Sequence, residues 1–129
     1  MKSRLVVHFL DGSLIKGWST DLFPNKPTFH VNDSETEESR EVHLADLKGV
    51  FFVKELARRP VRSQRRYDIE RPGLGRRVRV TFRDGEVVEG YTNGYSPDRL
   101  AFFVFPPDPD DNTERILVVT QATADVQLV

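Results

Sequence analysis

Residues 4–53 and 77–129 carry one pattern twice, and a chain built from two copies of a fifty-residue unit has few folds open to it. Arg4-Leu5-Val6-Val7-His8-Phe9-Leu10-Asp11-Gly12 aligns without a gap with Arg77-Val78-Arg79-Val80-Thr81-Phe82-Arg83-Asp84-Gly85, an offset of 73. The register then pairs Gly17-Trp18 with Gly90-Tyr91, Pro24 with Pro97, and Phe29-His30-Val31 with Phe102-Phe103-Val104. Beyond a three-residue insertion in the second copy, Val42 meets Val118, and Val50-Phe51-Phe52-Val53 meets Val126-Gln127-Leu128-Val129.

Within each copy the apolar residues Leu5, Val7, Phe9 and Val78, Val80, Phe82 alternate with period two, the signature of a half-buried strand. Asp11-Gly12 and Asp84-Gly85 then supply the positive φ that a tight hairpin turn needs. Second strands follow at Ser13 to Ser19 and Glu86 to Thr92, where Gly17 and Gly90 mark a bulge or sharp bend. Third strands are predicted at Thr28 to Asn32 and Leu100 to Phe105, and two short strands finish each copy. The fold expected is all-β: two tandem five-stranded small β-barrels, residues 1–53 and 77–129, packed together and joined by an arginine-rich connector, residues 54–76. Units this small are marginal alone, so each is expected to lean on the other.

The pattern Val-x-Phe-x-Asp-Gly-x-x-x-x-Gly, at Val7 to Gly17 and Val80 to Gly90, resembles the first strand pair of Sm-like small barrels, which include RNA-binding proteins. The resemblance implies the barrel fold. It does not carry over an RNA site: Asp21-Leu22-Phe23-Pro24-Asn25 and Asn93 to Asp98 stand where the family has a base-holding loop, and only Lys48-Gly49 echoes its closing signature. The whole pattern, with Leu47 to Lys54, also looks like a group of uncharacterised bacterial proteins.

The absence of cysteine excludes disulfides, thiolate metal sites and cysteine nucleophiles. No apolar run approaches the roughly 18 residues of a membrane span, and Met1-Lys2-Ser3-Arg4 leads straight into a strand, so a cytoplasmic protein without a membrane partner is expected. A net charge of −1 hides a segregation: residues 4–53 hold five basic against eight acidic residues, residues 77–129 five against nine, and residues 54–76 eight against three.

The connector arginines Arg58, Arg59, Arg62, Arg65 and Arg66 are the candidate ligand-binding residues, because guanidinium groups bind phosphate oxygens in a bidentate fashion. Their Arg-x-x-x-Arg spacings resemble the cyclic di-GMP-binding arginine motif of PilZ domains, although that family's second motif is missing. Alternatively, the connector pairs with the acidic faces of the two units. Strand alternation turns Val6, Leu10, Phe51, Phe103 and Phe105 outward as a candidate interface, between the units or with a partner. His8, His30 and His43 fall on the outward phase with His30 and His43 on adjacent strands, but no short His-x-His spacing or cysteine supports a metal. Asp108 to Asn112 lacks a calcium-loop frame and reads as solvated loop. No catalytic motif and no cofactor site is evident. The function expected is a non-enzymatic binding module, a bacterial signalling or regulatory adaptor acting through protein contacts. A receptor for a nucleotide or cyclic dinucleotide is the alternative, and an Sm-like RNA-binding protein ranks third because the acidic units would repel a long phosphate backbone.

Overall fold

The computed structural model describes residues 2–56 and 73–129. It is all-β. The N-terminal half forms β1 (Ser3–Phe9), β2 (Leu14–Ser19), β3 (Thr28–Asp33), β4 (Ser39–His43) and β5 (Leu47–Val53). The C-terminal half forms β6 (Arg76–Phe82), β7 (Val87–Thr92), β8 (Ala101–Val104), β9 (Thr113–Val119) and β10 (Thr123–Leu128). A single 3-10 turn, Leu44–Asp46 or Thr120–Ala122, precedes the last strand of each half. No helix among the described residues is long and apolar enough to cross a membrane.

Both hairpin turns are built alike. The Phe9 carbonyl accepts from Gly12 N–H at 3.1 Å, Gly12 adopts φ +89°, and the Asp11 carboxylate takes the Ser13 amide at 2.8 Å. In the second half Phe82, Gly85 at φ +92°, Asp84 and Glu86 repeat these bonds at 3.0 and 2.9 Å. Only the glycine of each pair takes positive φ, with the aspartate serving as the local acceptor that closes the turn.

The strands do not close into the two expected barrels. They form one seven-stranded antiparallel sheet, in the order β4-β3-β2-β1-β5-β9-β8, and one three-stranded sheet, β10-β6-β7. The larger sheet runs across both halves because β5 pairs with β9, from Gly49 opposite Val118 to Val53 opposite Thr113. The smaller sheet is linked to it by one bridge, Tyr91 to Phe105. The N-terminal half has its counterpart at Trp18 and Asn32, where β2 and β3 pair over only two residues. Gly17 and Gly90 lie at these two crossings, and their role is close backbone approach: a Cβ on Gly17 would sit 1.9 Å from the Asn32 carbonyl oxygen, and one on Gly90 2.3 Å from that of Phe105.

The core is continuous through both halves, from Leu5, Val7, Phe29 and Val31 to Val78, Val80, Phe82 and Leu117. Because β1, β5 and β9 occupy the middle of the sheet and are covered on both faces, their burial does not alternate: β5 is buried at every position but Lys48. Val6 and Phe51, expected to point outward, are 7% and 1% exposed for this reason. Lys48 is itself a fastener between the halves. Its ammonium sits 2.7 Å from Asp84 Oδ2, contacts Glu86, and lies 4.8 Å from the centre of the Phe82 ring.

Candidate functional site

Where β5 meets β9, one end of the seam opens into a cleft of about 470 Å³. Its walls come from both halves: Lys2, Ser3 and Arg4 at the start of β1, Phe52 to Lys54 at the end of β5, Thr113 to Arg115 of β9, and Phe105, Asp108 and Pro109. Lys54 and Leu74, on either side of residues 57–72, both line it.

Four cations and two carboxylates, Asp108 and Glu114, surround this space. Two of the cations donate to backbone carbonyls and a third lies over an aromatic ring. Arg4 Nη1 donates to the Lys54 carbonyl at 2.8 Å, Lys54 Nζ donates to the Pro109 carbonyl at 2.7 Å, and Lys2 Nζ lies 4.4 Å from the centre of the Trp18 ring. The fourth, Arg115, is placed by the cross-strand register that sets it opposite Phe52. Its guanidinium lies 4.3 Å from the Phe52 ring centre and 4.5 Å from that of Phe103, two rings that meet edge to face at 5.7 Å. Such contacts hold the planar head in place and leave its N–H edge available. No hydrogen bond or ion pair engages Arg115 among the described residues. Burial lowers its pKa and the neighbouring Glu114 charge raises it. Two residues earlier on β9, Thr113 Oγ1 is buried at the cleft with no hydrogen-bond partner among the described residues.

Asn112 fixes the seam at this end. It is fully buried, its side chain accepts from Glu55 N–H and donates to the Glu55 carbonyl, both at 3.0 Å, and its own carbonyl accepts from Lys54 N–H at 2.9 Å. The acidic loop expected to be merely solvated thus ends in a structural clasp.

Of the residues singled out from the sequence, Phe103 and Phe105 come together beside Arg115, with ring centres 6.4 Å apart. Leu10 is 58% exposed at the first hairpin turn, apart from them, while Val6 and Phe51 belong to the core. Arg58, Arg59, Arg62, Arg65 and Arg66 lie outside the described residues. His30 and His43 are indeed neighbours, both near Glu41 at 3.8 and 3.4 Å, and His30 Nδ1 is 2.8 Å from Asp21 Oδ2. Among the described residues no group of three side chains is arranged to hold a metal. Arg115, Lys2, Arg4 and Lys54 escaped the sequence reading. The signal for Arg115 was a lone cation opening the apolar run Ile116 to Val119, and it acquires meaning only once β9 is known to lie against Phe52.

No curated protein and no solved structure matches the chain. Across residues 1–129 it matches the family of unknown function DUF6982, and it belongs to that family.

Proposed function

We propose that this protein is a non-enzymatic binding module, a bacterial signalling or regulatory adaptor of the cytoplasm, and that it engages a protein partner at the seam cleft. The observation that carries the reading is Arg115, held between Phe52 and Phe103 and engaged by no hydrogen bond or ion pair among the described residues. Arginine and aromatic residues grouped in a partly desolvated pocket are the composition that dominates binding energy in protein interfaces. The matching turns, crossing glycines and bridges, all 73 residues apart, support an origin by duplication of a strongly bent, Sm-like unit.

A photocrosslinking residue placed at Phe105 in cells, beside one placed at Leu10, tests the reading. A discrete protein adduct from position 105 and none from position 10 is expected; RNA adducts from position 105, or equal adducts from both, would contradict it.

A second reading, a receptor for a nucleotide or cyclic dinucleotide, draws on the same guanidinium, whose fork fits phosphate as well as carboxylate. Thermal shifts with a panel of such ligands and short oligonucleotides, at low and physiological salt, test that alternative.

A further inference from the structure

The seam cleft is selective in what it offers a partner. Arg4 and Lys54 each donate to a backbone carbonyl, which ties the cleft walls together, at 2.8 and 2.7 Å. Lys2 lies over Trp18, and Arg115 is the lining cation whose guanidinium rests against two rings, Phe52 and Phe103, while no hydrogen bond or ion pair among the described residues engages it. Thr113, two residues earlier on β9 and beyond the bulge at Glu114, also lines the cleft and carries a buried hydroxyl with no hydrogen-bond partner among the described residues. Arg115 and Thr113 therefore share one cleft, and a buried hydroxyl without a partner, as at Thr113, is a situation that folded chains seldom leave unanswered.

We infer that the cleft takes an acidic segment of a protein partner, with one carboxylate of the segment forming a bidentate pair with Arg115 and an apolar side chain beside it resting on Phe105 and Pro109. The inference rests on the protein-binding reading above and names the chemistry of its partner. Charge favours a carboxylate over a phosphate chain: Asp108 and Glu114 stand in the same walls and oppose a run of phosphates, whereas a single carboxylate can meet Arg115 and avoid them. The apolar share of the walls, Phe52, Val53, Phe105 and Leu74, fits a side chain next to the acid. A guanidinium already held against two rings loses less conformational freedom when it pairs, so the anchor is prepared before the partner arrives.

The test is a selection from a random twelve-residue peptide library displayed on phage, run against the full chain, Arg115→Gln, Arg115→Lys and, as a distant control, Arg99→Gln. The enriched peptides are then resynthesised and their affinities measured. Enrichment of peptides with an acidic residue next to an apolar one is expected, with binding weakened by about tenfold or more in Arg115→Gln, partly restored in Arg115→Lys, and unchanged in Arg99→Gln. Arg115→Lys keeps the charge and the stem, so it separates loss of the pair from loss of folding. Enriched peptides without acidic residues, or acidic peptides indifferent to position 115, would overturn the inference while leaving a protein-binding surface in place. Failure to enrich any peptide, with ATP, cyclic di-GMP or inorganic phosphate binding in an Arg115-dependent manner instead, would overturn both.

Discussion

Gly17 lies beneath the carbonyl of Asn32 so closely that a Cβ would stand 1.9 Å from the oxygen, and this contact sets how tightly β2 crosses β3. Gly90 repeats it under Phe105, with 2.3 Å for the same distance. Alanine at either position must push two strands apart, at a cost of about 2–4 kcal/mol. Gly12 has open space around its missing Cβ and only its φ of +89° to object, so Gly12→Ala should cost about 1–2 kcal/mol. Urea denaturation of the three variants should rank Gly17→Ala and Gly90→Ala well below Gly12→Ala.

Lys48 joins the halves through ions that differ in exposure: its own side chain is 13% exposed, that of Asp84 54% and that of Glu86 21%. Truncation to alanine leaves Glu86 without this cation and removes the stem from Phe82. Allowing for the solvent around Asp84, Lys48→Ala should lower stability by about 1–3 kcal/mol, measured as a shift in the urea midpoint.

Asn112 carries both hydrogen bonds to Glu55 from a fully buried position. Asn112→Ala strands the amide and carbonyl of Glu55 and opens a small void, for an expected loss of about 2–3 kcal/mol. Hydrogen exchange should show the amide of Glu55 losing protection in this variant before the centre of β5 does.

Acid should weaken the corner where β2 ends. Burial pushes the Asp21 carboxyl up, but hydrogen bonds from the His30 ring, the His30 amide and the Ser19 hydroxyl outweigh it and hold the pKa below the ordinary 3.8. A carboxyl with a depressed folded-state pKa adds stability above its unfolded value and loses it as the pH falls through the folded one. Asp21→Asn should therefore be less stable than the wild type at neutral pH, and the difference should shrink once the pH drops below 3.8. Urea midpoints of the two chains between pH 6 and pH 2.5 check this.

Much of the chain could be read from its letters because the signals were local. Leu5, Val7 and Phe9 announce a strand, Asp11-Gly12 a turn, and both recur 73 residues later where the structure has β6 and its turn. What local signals cannot carry is the pairing of β5 with β9, whose partners stand sixty or more residues apart. That pairing places β1, β5 and β9 in the middle of one sheet, where outward-phase residues such as Val6 and Phe51 become core. It also creates the candidate site, since Arg115 is an unremarkable strand residue until Phe52 lies across from it. Gly17 and Gly90 were legible as special positions, but whether a strand glycine serves a bulge or a crossing depends on what approaches it in space.

Binding of a protein at the seam cleft through Arg115 is tested most directly by the photocrosslink from position 105 repeated in the Arg115→Gln chain. A protein adduct is expected that forms in the otherwise wild-type chain and disappears with Arg115→Gln while the melting temperature stays within a few degrees. An adduct of unchanged yield in the variant would contradict it.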